Sequence, residues 1–326
     1  MIIARAPFRI SFSGGGSDIP SYYERNGGAV ISTSINKYVY IEAHPYFDPT
    51  RIQLKYSRTE NVDTPAKISH RIFQRVLTKY DLNGIELTST ADIPTGTGMG
   101  TSSAFTTALL QCVHAYRENF RSQEQLAEEA CAIEIHDLGA PIGKQDQYAS
   151  ALGGLNFITF HRDGTVDAQP VLCKPRSLDR LSRSLMLFYT GVQRDANEVL
   201  SRQAIELKKD VRKIDVVNEM VEIARNMRVA LEADELDLFG KYLDETWQIK
   251  RTLTSGISNS DIDDLYQLAR SNGALGGKLL GAGNGGFLLF YCPEDRQQRL
   301  RNALGHLREV PFAFESGGTR VIYYQQ

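Results

Sequence analysis

The chain has 326 residues, 42% hydrophobic and 23% charged, an ordinary globular composition with enough apolar material for a sizeable core. Disordered and low-complexity classes are excluded, and the length favours two domains, or one large one, at the usual ~100–200 residues each. With 37 Lys and Arg against 39 Asp and Glu, the net charge of −2 argues against a nucleic-acid partner held by phosphate contacts. The longest apolar runs, such as residues 286–292, fall far short of the ~20 residues of a membrane span, so no membrane partner is expected. Cys112, Cys131, Cys173 and Cys292 form no C-x-x-C pair and lie in apolar contexts. They read as buried thiols in a reducing compartment, not as a disulfide framework or a zinc site. The N-terminal run Met-Ile-Ile-Ala-Arg-Ala-Pro lacks the charge and apolar pattern of a signal peptide, and a cytoplasmic location is expected.

Residues 2–12 alternate as a strand, and 29–43 and 51–57, rich in Ile, Val, Tyr and Thr, read as further strands. Residues 67–80 put Ile68, Ile72, Phe73, Val76 and Leu77 on one helical face; 85–91 is a short strand. Ala104, Phe105, Ala108, Leu109, Cys112, Val113 and Tyr116 recur at helical spacing over 101–116. Ser122 with Gln125 forms a capping box that opens a helix through about residue 135. Strands are expected at 153–160, 165–172 and 184–189. After about residue 190 the texture changes. One long charged helix is expected over 195–231, then helices at 236–251 and 260–271. Two apolar strands around a glycine turn follow, then a helix near 295–307 and strands at 311–314 and 319–324. The expectation is therefore α+β, with domains 1–180 and 181–326 packed against each other around a cleft.

Three glycine-rich segments stand out. Pro94-Thr-Gly-Thr-Gly-Met-Gly-Thr-Ser-Ser-Ala104 falls between a predicted strand and a predicted helix. Its glycines let backbone approach an anion, the helix start offers unpaired N–H groups, and Thr101, Ser102 and Ser103 add hydroxyls. A plain flexible turn accounts less well for glycines and hydroxyls together at a helix start. The segment is not a Walker A loop, because no Lys follows the last glycine. Gly281-Ala-Gly-Asn-Gly-Gly286 matches G-x-G-x-x-G, but a strand follows it where a dinucleotide fingerprint would open a helix, and a hairpin competes as its reading. In Ser13-Gly-Gly-Gly-Ser-Asp18, Asp18 also reads as a helix N-cap with Pro20 in the first turn. Asp146 and Glu134 alone would pass for surface acids.

Together these segments resemble the GHMP kinase superfamily, the group of galactokinase, homoserine kinase, mevalonate kinase and phosphomevalonate kinase. The likeness runs nearly end to end: Arg5-Ala-Pro-Phe-Arg9 leading into Gly14–Asp18, the 94–104 loop, and Lys278-Leu-Leu-Gly-Ala-Gly-Asn-Gly-Gly-Phe287, in that order. The resemblance implies the two-domain α+β architecture of that superfamily. Its N-terminal domain would be a ribosomal-protein-like βαβ unit with a left-handed crossover, and its C-terminal domain a ferredoxin-like sheet. It places Pro94, Gly96, Gly98, Met99, Gly100, Thr101, Ser102, Ser103 and Ala104 around the phosphates of ATP. It gives Mg²⁺ to Glu134 and to a hydroxyl of Ser102 or Ser103, with Ser103 preferred. Asp146 matches the acid credited as base in several members, and Arg9 the basic residue beside it; a cation there favours the charged carboxylate. Bulk at Gly98 or Gly100 is accordingly expected to weaken ATP binding with little loss of fold.

The substrate segment is read as Ser13, Gly14, Gly15, Gly16, Ser17 and Asp18, together with Gly283. Galactokinases carry Gly-Glu-His-Thr-Asp where this chain has Gly14-Gly-Gly-Ser-Asp18, so a sugar-contacting Glu is missing. The Gly-Gly-Gly-Ser-Asp-Ile-Pro form is similar to the bacterial heptose-phosphate branch and to the kinase part of fucose kinases. The first implies phosphorylation of the anomeric oxygen of a heptose 7-phosphate; the second, a fucose or hexose 1-kinase. A sugar- and ATP-sensing protein without turnover and an RNA-binding module are more distant readings. Small-molecule sugar phosphate and ATP are the expected partners, with a homodimer compatible with the sequence. For the distal phosphate, Arg194 with Thr190 and Gly191 is one candidate site, and a surface Arg194 paired with Asp195 or Glu198 is the alternative. Lys37 and Lys144 are the other candidate cations.

Overall fold

Two long strands organise the first layer. β1 (Ile2–Ser13) turns through the Gly14–Asp18 segment into α1 (Pro20–Asn26) and then β2 (Gly28–Pro45). The computed structural model describes residues 1–193 and 197–325. On β1, Ala4, Ala6, Phe8, Ile10 and Phe12 are buried on one face. The alternate positions Arg9, Ser11 and Ser13 are polar and buried too. Alternation in a strand sends these two sets to opposite faces. A polar set that stays buried needs partners: Arg9 and Ser11 line the cleft described below, and Ser13 bonds Met220 and Thr246.

The chain continues through β3 (Ile52–Lys55), β4 (Thr59–Val62), α2 (Arg71–Tyr80) and β5 (Ile85–Ala91). The glycine loop follows, then α3 (Thr101–Tyr116), α4 (Gln123–Cys131), α5 (Gln145–Leu152), β6 (Leu155–Phe160) and β7 (Val166–Pro170). With the last strand of the chain, β12 (Arg320–Tyr324), at its edge, the first sheet runs β12-β1-β2-β5-β3-β4, with β6 also on β2 and β7 on β6. β2 is long enough to pair β6 through its first half and β5 through its second. β3 and β5 are parallel, and the other pairings are antiparallel. The capping box of Ser122 and Gln125 is formed as expected. After Cys131 the helix widens into a π-helical turn, Ala132–Asp137.

The second half opens with α6 (Pro175–Ser184) and β8 (Leu185–Tyr189). It continues through α7 (Asn197–Lys209), α8 (Val211–Glu232), α9 (Leu236–Lys250), α10 (Ser260–Ser271), β9 (Gly276–Leu279), β10 (Phe287–Tyr291), α11 (Gln297–Ala303), β11 (Arg308–Glu309) and β12 (Arg320–Tyr324). Its antiparallel sheet has the order β11-β8-β10-β9. β10 is buried throughout because both of its faces are covered. Phe287, Leu289 and Tyr291 join the large core under the first sheet, while Leu288 and Phe290 pack with Trp247 and Tyr266.

Three expectations are corrected. The single helix over 195–231 is two helices, because the Asp210 carboxylate accepts from Arg212 N and starts α8 afresh. The 311–314 strand is reduced to a bridge between Ile35 and Phe314. β12, expected within the second domain, pairs with β1 and closes the first sheet instead. Two helices were missed, α5 and α6. All four cysteines are free thiols, three of them buried. Among the described residues no helix is long and apolar enough to cross a membrane.

Candidate active site

The glycine loop is built for backbone exposure. Gly96, Gly98 and Gly100 all take left-handed φ, at 74°, 80° and 72°. Such values favour glycine strongly. Gly100 is also the N-cap of α3 and supplies no side chain, so the first N–H groups of that 16-residue helix have no capping side chain. They point their partial positive charge to the same place as the loop.

Arg9, buried on the polar face of β1, reaches under this loop. Its Nε and Nη2 bond the two oxygens of Asp146 at 2.7 and 2.8 Å, and its Nη1 bonds the Gly98 carbonyl at 2.7 Å. A bidentate guanidinium–carboxylate pair fixes both distance and plane. Asp146 sits in the first turn of α5. The pair therefore ties a strand, a helix and the glycine loop into one rigid unit.

Glu134 comes from the π-helical turn, a deformation that often marks functional positions. It is buried, and burial pushes its carboxyl pKa up against the opposing bonds of Ser102, Ser103 and Gln147. Ser102 Oγ donates to Oε1 at 2.6 Å and Gln147 Nε2 to Oε2 at 2.8 Å. No cation is bonded to this carboxylate among the described residues. Of the two candidate hydroxyls, Ser102 makes the 2.6 Å bond and is exposed, while Ser103 is buried.

Asp18 is buried and accepts the N–H groups of Gly16 and Gln145 at 3.0 and 3.2 Å. Burial first, and then the charge of Asp146, raise its pKa from 3.8 to about 6. It does not cap α1, whose N-cap is Ile19; Pro20 does open that helix. Gly143 allows this placement, since a Cβ there would stand 2.0 Å from Asp18 Oδ2.

These groups line one cleft of about 560 Å³, within the usual range of small-molecule sites. One wall is apolar, with Val39, His70, Ile72, Ile93 and Phe105. The floor is the 96–103 loop. The remaining wall carries Ser11, Gly15, Gly16, Asp18, Gln145, Gln203, Lys250 and Lys278.

Several expected site residues lie elsewhere. The Ser13 hydroxyl donates to Met220 O and accepts from Thr246 Oγ1, fastening β1 to α8 and α9. Ser17 Oγ bonds both the N–H and the carbonyl of Ala29. Gly14 is a glycine because a Cβ would overlap the Ala29 carbonyl. All three are pins for the turn, and Gly15, Gly16 and Asp18 alone of that segment face the cleft. Met99 and Ala104 are core residues, and Pro94 lends its carbonyl to Thr97. Gly283 packs on the backbone of Ile257, while Gly281 and Ala282 of the same segment line the cleft. That segment is also the hairpin connection between β9 and β10. Thr190 bonds Gly286, Gly191 has open space around it, and neither lines the cleft. Arg194 lies outside the described residues. Lys144 reaches the Gly164 carbonyl over the Tyr23 ring, and Lys37 does not line the cleft. Gln145, Gln147, Gln203, Lys250 and Lys278 were not foreseen.

The comparisons with known proteins give a class to this two-sheet fold with its glycine loop and Arg9–Asp146 pair. The chain matches the GHMP kinases N-terminal domain over residues 67–154 and the GHMP kinases C-terminal domain over 227–307. It belongs to the GHMP kinase family. Among similar proteins, the D-glycero-alpha-D-manno-heptose 7-phosphate kinase of Campylobacter jejuni is 27% identical over 96% of this chain and 97% of its own. The bifunctional fucokinase/GDP-fucose pyrophosphorylase of Arabidopsis thaliana is 25% identical over 91% of this chain but only 30% of its own length. The solved structure of a D-glycero-D-manno-heptose 1-phosphate kinase from Bacteroides thetaiotaomicron superposes with a TM-score of 0.81 at 24% identity, covering both chains fully. A Lactococcus lactis galactokinase bound to galactose superposes at 0.77 with 18% identity, over 98% of this chain and 94% of its own. These last two establish the shared fold.

Proposed function

We propose that the chain transfers the γ-phosphoryl group of ATP to the anomeric hydroxyl of D-glycero-D-manno-heptose 7-phosphate, giving the 1,7-bisphosphate for nucleotide-activated heptose synthesis. The observation that carries this reading is the Arg9–Asp146 pair held 2.7 Å under the carbonyl of Gly98. In this reading the acceptor hydroxyl meets the terminal phosphate beside that carboxylate. Asp146 takes the hydroxyl proton as the C1 oxygen bonds phosphorus and the bond to the ADP oxygen breaks. Arg9 orients that carboxylate. The loop N–H groups and the start of α3 receive the phosphate oxygens. The apolar wall of His70, Ile72 and Phe105 takes the base. Asp18, Ser11 and Gln145 face the sugar; Ser11 Oγ and Gln145 Oε1 are buried without partners among the described residues, which suits sugar hydroxyls.

Mg²⁺ fits the residues present. Glu134 and Ser102 are hard oxygen donors, Glu134 has no cationic partner among the described residues, and Mg²⁺ needs one or two protein oxygens. When bound, it neutralises phosphate charge during transfer. In this reading the nucleotide side belongs to residues 1–180 and the third glycine segment to 181–326.

The sugar identity rests on the 27% identity to the Campylobacter heptose kinase over nearly both full lengths. The similarity to the Arabidopsis fucokinase favours an L-fucose or other hexose 1-kinase as second reading. ADP release measured with heptose 7-phosphate, free heptose, L-fucose and galactose separates them. The proposal expects the highest kcat/KM for heptose 7-phosphate, and a higher value for fucose overturns it.

A further inference from the structure

Among the described residues three cations, Arg9, Lys250 and Lys278, line the cleft, and only Arg9 is bonded to a carboxylate. Arg9 holds Asp146. Lys278, on β9 and 3% exposed, donates to the Phe12 carbonyl at 2.8 Å. Lys250, the last residue of α9, donates to the carbonyls of Leu279 and Gly281. Among the described residues no carboxylate is bonded to either ammonium. Carbonyls are neutral acceptors and leave a buried positive charge uncompensated. Burial, and then the neighbouring Arg9, pull the Lys250 ammonium pKa down to about 7, and burial, then the charges of Lys250 and Arg9, hold that of Lys278 well below its ordinary value. Such groups rest either as neutral amines or as ammoniums joined by an anion, and a bound anion raises both pKa values again.

Their location says which kind of anion. Lys250 bonds Gly281, and Gly281 packs directly on Gly98, where a Cβ on Gly281 would stand 2.3 Å from the Gly98 Cα. The Gly98 carbonyl in turn takes Arg9. The two lysines thus stand one loop away from the glycine floor and near Arg9. We propose that Lys250 and Lys278, together with Arg9, form a phosphate-binding site on the acceptor wall of the cleft. The inference rests on the kinase reading above and extends it. The phosphate held there is the one in transfer; the acceptor's own distal phosphate is the second source of the same chemistry. The lysines form no covalent bond and act by placing charge around non-bridging oxygens.

The test uses the full chain saturated with ADP and Mg²⁺, onto which inorganic phosphate is titrated by calorimetry. Losing one charge-assisted contact worth about 1.5–3 kcal/mol corresponds to a ~10–100-fold change in affinity. Lys250→Met and Lys278→Met should each weaken phosphate binding by that factor, while Lys250→Arg retains most of it. Lys250→Gln keeps a neutral N–H donor on a slightly shorter side chain and serves if the Met variant does not fold; it should lose the affinity as well. Kinetics then assign the source. A fall in kcat of ~100-fold for phosphorylated and unphosphorylated sugars alike supports the phosphate in transfer. A rise in KM confined to the phosphorylated sugar supports the distal phosphate. Wild-type phosphate affinity in both Lys250→Gln and Lys278→Met overturns the site, as does a parent protein that binds no phosphate. The titration uses no sugar, so an error in the substrate assignment shows only in the kinetic arm.

Discussion

The two glycine segments meet backbone to backbone, and this gives a sharp contrast between two neighbouring substitutions. A Cβ on Gly98 would lie 2.5 Å from the Leu280 carbonyl oxygen and 2.9 Å from its carbon. Gly98 also has φ of 80°. The left-handed conformation costs a non-glycine residue about 1–2 kcal/mol. Overlap with backbone that cannot rotate away adds about 1–3 kcal/mol. Gly98→Ala should therefore lose roughly 2–5 kcal/mol, a large share of a typical ~5–15 kcal/mol. Gly100 shares the left-handed φ, but a Cβ there would meet Arg9 Cγ and Asp146 Oδ2 at 3.2 Å. Those are side-chain atoms and give way by a few tenths of an ångström. Gly100→Ala should cost about 1–2 kcal/mol of stability. It should also lower kcat by ~10–100-fold, by shifting the acid–base pair. Urea unfolding and ADP-release kinetics on both variants decide the matter. Gly98→Ala as stable as the parent, or Gly100→Ala with full kcat, would refute the reasoning. The contact also corrects the expectation that bulk at Gly98 would spare the fold.

The other predictions concern the charged groups. Asp146→Asn should lower kcat by about 10²–10⁴ with the KM for ATP nearly unchanged. In Arg9→Ala/Asp146→Asn the loss should be smaller than the sum of the single losses, because the two act as a unit; additive losses count against the pairing. Ser102→Ala and Glu134→Gln should raise the Mg²⁺ concentration for half-maximal activity, and identical Mg²⁺ titrations would remove both as ligands. The Asp18 carboxyl has a raised pKa in the folded protein, so it favours folding below pH 3.8 and loses that contribution as pH rises through about 6. The shift corresponds to about 3 kcal/mol. The stability of the parent relative to Asp18→Asn should fall by that order between pH 4 and pH 7.5 in urea titrations. A pH-independent difference would contradict it.

What the sequence made legible was local. The boundaries of β5, α3 and α10 match because periodicity and caps act within the element. The glycine loop was readable because glycines and hydroxyls at a helix start have few other uses. Side chains whose role depends on distant partners were not readable. Ser13 and Ser17 look like ligand hydroxyls in a glycine-rich turn, yet Met220, Thr246 and Ala29 occupy them. Lys250 closes an amphipathic helix, where a lysine ordinarily faces water; tertiary packing turns it to the carbonyls of β9 and its loop. Lys278 was quoted as part of a glycine segment, but its burial against Phe12 follows from two strands far apart in sequence. The one available signal was β1 itself, where a polar alternate face of Arg9, Ser11 and Ser13 precedes a glycine turn.

The most direct test of the account is a phosphorus-31 NMR record of the full chain with Mg·ATP and D-glycero-D-manno-heptose 7-phosphate. The account predicts that ADP forms together with a new phosphate resonance coupled to the anomeric proton, with the 7-phosphate signal intact, and that Asp146→Asn slows the appearance of both by about 10²–10⁴. ADP with the new phosphate on another carbon, or no transfer to this sugar while L-fucose is phosphorylated at C1, would contradict it.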